Sequence, residues 1–143
     1  MSTTVDPGTK GRILVVDDDA SLSEMLSLVL RQEGFESRLV DRGDDALAAF
    51  HDYKPDLVLL DLGLPRVDGC TVARQMRSDS RMNGVTLVAL TGYGSDEDKV
   101  RVRDAGFDYH LLKPVTMRTL ETLLESPGRA SSPSGGRPTP IGQ

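Results

Sequence analysis

The sequence predicts an α/β fold, a doubly wound five-stranded parallel sheet with strand order 2-1-3-4-5 and helices on both faces. Short apolar runs alternate with segments of helical spacing; these runs are RILVV, SRLV, DLVLL, VTLVAL and YHLL. The central run, Leu57 to Leu60, is apolar at every position, which is typical of a strand buried on both faces of a parallel sheet. Right-handed crossovers leave few topologies for such a chain, and 2-1-3-4-5 is a common one.

Apolar stripes define the helices that follow each run. The first and clearest stripe consists of Leu22, Met25, Leu26, Val29 and Leu30. Ser21 and Glu24 suggest a capping box at its start, and Gly34 a stop at its end. Shorter stripes mark the later helices: Ala46, Leu47 and Phe50; Val72, Ala73 and Met76; residues 96–105 before Gly106; and Met117, Leu120 and Leu124.

Length and composition are those of one domain in a reducing compartment. A chain of 143 residues can bury a core without disulfides, and its single cysteine, Cys70, excludes an intramolecular disulfide. No secretory signal precedes the first run, and no apolar run approaches the roughly 20 residues of a membrane span. The formal net charge of −5 argues against a general nucleic-acid binder. We therefore expect a cytoplasmic protein that binds neither membranes nor, directly, nucleic acid.

Composition also predicts the domain boundaries. Residues 1–10 are polar and expected to be flexible, and residues 11–125 hold the alternating runs and stripes. From residue 126 the chain is rich in Pro, Gly and Ser, so it cannot bury enough apolar surface to offset the entropy of ordering. Residues 126–143 are therefore predicted to be a disordered tail.

Polar residues follow the apolar runs, where the carboxyl ends of parallel strands form the ligand crevice. In chain order they are Asp17, Asp18, Asp19, Asp61, Thr91 and Lys113. Each one alone is ordinary in a turn or a cap, and Asp19 fits the N-cap of the first helix. Together they place carboxylates, a hydroxyl and an ammonium at one edge of the sheet.

This combination predicts phosphoryl transfer to an aspartate. Two carboxylates ~4 Å apart repel by about 4 kcal/mol at an effective dielectric constant of 20, unless a cation or proton lies between them. Without His or Cys ligands they suit a hard cation, and Mg²⁺ leaves room for phosphate oxygens. A carboxylate can attack phosphorus, and an ammonium and a hydroxyl can hold phosphoryl oxygens.

Four motifs, ILVVDDD, LVLLDLGLPRVDG, VALTGYG and AGFDYHLLKPV, resemble in order and spacing the signatures of the receiver domain of two-component response regulators. The resemblance covers residues 12–124, is strongest to receivers of hybrid sensor histidine kinases, and implies a flavodoxin-like fold. It also implies that Asp61 takes a phosphoryl group from a phosphohistidine of a histidine kinase or a phosphotransfer domain. Such a domain is a signalling switch, not a turnover enzyme, although it catalyses its own phosphorylation and dephosphorylation.

The resemblance also implies the ligands of Mg²⁺. They would be Asp18, Asp61 and the backbone carbonyl of Gly63, with Asp17 acting mainly through water. Lys113 would hold the phosphoryl group.

The switch implied by the resemblance joins Thr91 to His110, on the face made by the fourth helix, the fifth strand and the fifth helix. Tyr or Phe is commoner than His at this position in the family. Because an imidazole can carry charge, we expect a pH-dependent switch, provided that His110 is partly solvated. The expected assembly is a monomer or a weak, phosphorylation-dependent dimer.

Two other functions fit part of the pattern. Asp17-x-Asp19 after a strand is also required by aspartate-nucleophile phosphatases of the haloacid dehalogenase type. These enzymes need a paired acidic motif after their lysine, whereas only the well-separated Glu121 and Glu125 follow Lys113. A flavodoxin-like flavin binder needs a phosphate-cradling loop after the first strand, where three aspartates would repel the ligand.

Overall fold

The predicted sheet is present in a computed structural model, which describes residues 9–80, 84–92, 96–125 and 139–140. The parallel strands are β1 (Arg12–Val16), β2 (Glu36–Val40), β3 (Leu57–Asp61), β4 (Thr86–Thr91) and β5 (Tyr109–Leu112). They lie in the order β2-β1-β3-β4-β5, as predicted. The helices are α1 (Ala20–Gln32), α2 (Ala46–Tyr53), α3 (Gly69–Arg77), α4 (Asp96–Ala105) and α5 (Met117–Glu125).

Two apolar layers cover the sheet, because alternate residues of each strand point to opposite faces. Ile13 and Leu59 pack with the stripes of α1 and α5, whereas Leu14 and Leu60 pack with α2, α3 and α4. β3 is buried at all of its positions, as its apolar sequence predicts. Because β3 is packed on both faces, its position in the sheet is fixed, and so is the position of Asp61 at its carboxyl end.

The helices follow the sequence-based predictions with two differences, one in a cap and one in a core stripe. α1 is capped by Asp19, whose Oδ1 accepts the Leu22 N–H at 3.1 Å, so the predicted capping box at Ser21 and Glu24 is wrong. Gly34 follows α1 with φ of 95°, a left-handed conformation that favours glycine and ends the helix as predicted. Met117 was expected in the core stripe of α5 but is 51% exposed.

A sixth strand, β6 (Thr139–Pro140), pairs antiparallel with the edge strand β5. It falls within the tail that was predicted to be disordered. The rest of that tail, 126–138 and 141–143, lies outside the described residues, as do residues 1–8, so the domain boundaries stay a prediction. Among the described residues, no helix is long and apolar enough to span a membrane.

Candidate functional site

The site is built on two buried aspartates at the carboxyl ends of neighbouring strands. Asp61 is the last residue of β3 and is 4% exposed, and Asp17 follows β1 and is 1% exposed. β3 pairs with both β1 and β4, so its end is the centre of this edge. The sheet therefore brings together the two carboxylates that the sequence predicted to meet.

Backbone amides orient both carboxylates. Asp17 Oδ1 accepts the Asp19 N–H at 2.8 Å, and Asp61 Oδ1 accepts the Gly63 N–H at 2.9 Å. The Asp17 N–H donates in turn to the Val40 carbonyl at 3.0 Å. These bonds hold the two carboxylates in fixed directions without neutralising their charge.

Lys113 supplies the positive charge between them. Its Nζ lies 3.1 Å from Asp17 Oδ2 and 3.3 Å from Asp61 Oδ1. Its backbone N–H donates to the Thr91 carbonyl at 2.8 Å, which ties the end of β5 to the end of β4. One ammonium thus bridges the two carboxylates that the strands place side by side.

This charge arrangement shifts the pKa values of two of the groups. Burial raises the pKa of the Asp17 carboxyl, and the negative charge of Asp61 raises it further, against the Asp19 and Lys113 hydrogen bonds. Burial by itself lowers the pKa of Lys113, but the hydrogen bonds and charges of Asp17 and Asp61 outweigh burial, so the pKa is raised. Lys113 is therefore a cation at neutral pH, and an ionised Asp17 is costly where it lies.

Asp18 completes an acidic cluster that fits a hard cation. Carboxylate oxygens of Asp17, Asp18 and Asp61 all lie within 4.8 Å of one another. Asp18 is exposed, whereas the other two are buried, so the cluster opens to solvent on one side. Oxygen donors of this kind suit Mg²⁺ better than a thiolate- or imidazole-seeking metal.

A cavity of about 420 Å³ lies over Asp18 and Asp61. Its lining consists of Asp18, Asp19, Asp61, Leu62, Gly63, Thr91, Gly92, Arg101 and Lys113. All but Leu62, Gly92 and Arg101 were singled out in the sequence. Arg101 belongs to α4, whose apolar stripe is too weak to predict which of its residues face the cavity. The one available sequence signal was that this cation precedes Val102, which is buried.

The two residues predicted to form the switch, Thr91 and His110, lie on neighbouring strands. Thr91 ends β4, is 4% exposed and lines the cavity. His110, in β5, pairs with Ala89 of β4 and is 6% exposed. The imidazole is therefore buried, and the condition that we set for a pH-dependent switch, partial solvation of His110, is not met.

Comparison with known proteins agrees with the geometry. Residues 13–125 match the family described as response regulator receiver domain. The DNA-binding response regulator MtrA of Mycobacterium tuberculosis is 48% identical over 109 residues, which cover 76% of this chain and 46% of that protein. The phosphate regulon transcriptional regulatory protein PhoB of Pseudomonas aeruginosa is 33% identical over 129 residues, 90% of this chain and 56% of that protein.

Solved structures show the same fold. The chemotaxis response regulator CheY4 of Vibrio cholerae superposes with a TM-score of 0.77 at 28% identity, covering 82% of this chain and 98% of that one. A putative response regulator from Chloroflexus aurantiacus gives 0.75 at 32% identity, covering 80% and 94%.

The chain spans about half the length of the curated relatives that it matches. Their names are those of DNA-binding and transcriptional regulators, where we had expected hybrid kinases, so the expected absence of a nucleic-acid partner has no support for a whole protein. Neither the phosphatase nor the flavin binder is supported by any of these similarities. The chain belongs to the receiver domains of two-component response regulators.

Proposed function

We propose that Asp61 is the phosphoacceptor of this receiver domain. The observation that carries the proposal is the position of its carboxylate, which ends the central strand beside the Lys113 ammonium and within reach of Asp17 and Asp18. The donor is a phosphohistidine of a sensor histidine kinase or of a phosphotransfer domain. We place this reaction in the cytoplasm and expect the domain to act as a monomer or a weak, phosphorylation-dependent dimer.

The transfer is a displacement at phosphorus. An Asp61 carboxylate oxygen forms the new P–O bond while the P–N bond to the donor histidine breaks, and the leaving imidazole nitrogen keeps the electron pair and takes a proton from water. Lys113 stays protonated and faces the negative charge on the phosphoryl oxygens. The Thr91 hydroxyl donates to a second phosphoryl oxygen.

Asp17, Asp18, Asp61 and the backbone carbonyl of Gly63 would hold a Mg²⁺ ion. Bound there, the ion would neutralise charge that develops on the phosphoryl oxygens. The acidic cluster supports this proposal, since its oxygens lie within 4.8 Å of one another and only Lys113 among the described cations forms an ion pair with its buried members. The Asp17 carboxylate is held in its direction by the hydrogen bond that it accepts from the Asp19 N–H.

Intact mass after incubation with acetyl phosphate and Mg²⁺ tests the phosphoacceptor. The wild-type protein should gain a single phosphoryl group, and Asp61→Asn should gain none. Asp19→Asn is the matched control, because it removes a carboxylate that lines the same cavity while an asparagine can still cap α1. Equal labelling of Asp61→Asn and the wild-type protein would refute the assignment.

The output follows from the phosphoryl group that Asp61 would carry. About two added negative charges attract the Thr91 hydroxyl, which changes the space beside β4 that His110 can fill. Burial of His110 supports a packing role for the imidazole. Amide spectra of α4, β5 and α5 are recorded with and without beryllofluoride for the wild-type protein and for His110→Tyr. If His110 is part of the switch, the spectral change in the variant should differ from the wild-type change. If the two changes are the same, His110 is only structural.

A further inference from the structure

Arg101 is a second cation on the lining of the phosphoryl-acceptor cavity. The other cation, Lys113, is held by ion pairs with Asp17 and Asp61 at the base of the site. Arg101 reaches the cavity from α4, whose buried Val102 and Ala105 fix the helix against the core. Its backbone position is therefore set by packing, while its side chain is 56% exposed.

An electrostatic contact with the start of α3 holds the Arg101 guanidinium. Its Nη2 lies 3.4 Å from Asp68 Oδ1, and the Asp68 side chain is 46% exposed. The same Oδ1 accepts the Cys70 N–H at 3.1 Å, so Asp68 also caps α3. A solvated ion pair of this length contributes little to stability and exchanges easily for a stronger partner.

We propose that Arg101 is a phosphoryl-binding residue, which leaves Asp68 and contacts the phosphoryl oxygens once Asp61 is modified. A phosphoryl group offers close to two negative charges and several acceptor oxygens, which a guanidinium can bind through two parallel hydrogen bonds, whereas the Asp68 carboxylate offers one charge and shares its oxygen with a backbone amide. The exchange moves a side chain of α4 toward Asp61. It thereby connects phosphorylation to α4 independently of Thr91 and His110.

The proposal predicts that removing the two partners of the ion pair changes the affinity for a phosphoryl mimic in opposite directions. Asp68 competes with the phosphoryl group for Arg101, so its removal should strengthen binding of a phosphoryl mimic. Removal of Arg101 should weaken it. A purely structural ion pair between α3 and α4 would instead give both variants the same sign.

Beryllofluoride with saturating Mg²⁺ is the probe, and its apparent affinity is measured by calorimetry on the full chain. Arg101→Gln should weaken binding by about fivefold, and Arg101→Lys, which keeps the charge but not the planar fork, by about half of that factor. Asp68→Asn should strengthen binding by about twofold and still cap α3. In the Arg101→Gln background, Asp68→Asn should leave the beryllofluoride affinity unchanged, because Asp68 then has no Arg101 guanidinium to hold away from the phosphoryl mimic.

Arg103 provides the matched control. It lies on the same helix, is 52% exposed and pairs with Asp104 at 3.6 Å, but it is absent from the cavity lining, so Arg103→Gln should bind beryllofluoride like the wild-type protein. Wild-type affinity in Arg101→Gln would overturn the inference, and so would equal weakening in Arg101→Gln and Arg103→Gln. The inference rests on the proposed phosphoacceptor, and a wild-type protein that fails to bind beryllofluoride would refute that assignment instead.

Discussion

The two ends of the sheet treat their charged residues in opposite ways. At the amino ends of the strands, Asp108 accepts both the Leu87 N–H at 2.9 Å and the guanidinium of Arg77. The same guanidinium donates to the carbonyls of Gly106 and Val85, each at 2.8 Å. Here every named charge has an opposite charge and further hydrogen bonds.

The carboxyl ends collect like charges instead. Carboxylate oxygens of Asp17, Asp18 and Asp61 lie within 4.8 Å of one another. Among the described cations, Lys113 forms the ion pairs with the two buried carboxylates, those of Asp17 and Asp61. Burial and the charge of Asp61 raise the pKa of Asp17, which shows that its ionised form is unfavourable there. One end thus contributes stability, and the other gives up stability to hold groups that a metal and a phosphoryl group can satisfy.

The largest effect should come from relieving the charge at the carboxyl end. Mg²⁺ at a hundred times its dissociation constant should raise the free energy of unfolding by about 2.7 kcal/mol through mass action. Asp18→Asn should remove most of that gain, because it removes a proposed metal ligand. Urea melts with and without Mg²⁺ measure the response, and coincident wild-type melts would contradict the proposed metal site.

Asp17→Asn tests the same end without metal. A folded-state pKa above the ordinary value of 3.8 means that stability is lost as the pH rises from about 4 through the folded-state pKa, and that the loss is complete once Asp17 is ionised. Removing this charge should therefore raise the stability of the metal-free protein, by about 1 kcal/mol, at a pH where the wild-type carboxyl is ionised. Lys113 keeps Asp61 as a partner in the variant.

Asp108→Ala should have the opposite sign at the amino end. It leaves the Leu87 N–H and one arm of Arg77 without their carboxylate, at a cost of about 2 kcal/mol, reduced from a fully buried case because Asp108 is 45% exposed. Urea melts check the loss, and acetyl phosphate labelling should proceed as in the wild-type protein after correction for any unfolded fraction. A labelling defect in the folded variant would show that the two ends are coupled.

The difference between the ends also explains what the sequence could predict. Asp61, Thr91 and Lys113 follow directly after apolar runs, and all parallel strands end at one edge, so local order was enough to place them together. Arg77 and Asp108 are separated by 31 positions and meet only because α3 ends beside the start of β5. No hydrophobic period or residue spacing in the sequence predicts such a pair.

Arg101 and β6 were missed for a similar reason. The contact between Arg101 and Asp68 depends on how α4 lies against α3, which a weak apolar stripe does not specify. β6 uses backbone pairing with an edge strand, which any extended segment can offer, so the composition of the tail carried no information about it. The capping of α1 by Asp19 was open in the sequence, because Asp and Ser are both good N-caps.

The amino end should also lose stability at alkaline pH. Tyr53, at the end of α2, is 7% exposed, and burial, aided by the negative charge of Glu36, raises the pKa of its phenol. A raised folded-state pKa means that stability is complete below the ordinary value of 10.0 and falls as the pH rises above it, by up to about 1.4 kcal/mol per pH unit for one group. Tyr53→Phe lacks this titration, so its urea melts at pH 9 to 11 should lose less stability than those of the wild-type protein.

Burial also raises the pKa of Tyr109, and Lys113 has a raised pKa at the other end, so both contribute to the wild-type loss and the Tyr53→Phe curve should be shallower without being flat. The guanidinium carbons of Arg12 and Arg38 lie 5.5 and 4.5 Å from the centre of the Tyr53 ring, and a phenylalanine keeps both of these contacts. The variant should therefore match the wild-type protein at pH 8 within about 0.5 kcal/mol. Parallel stability curves from pH 9 to 11 would show that the Tyr53 phenol ionises equally in the folded and unfolded chains.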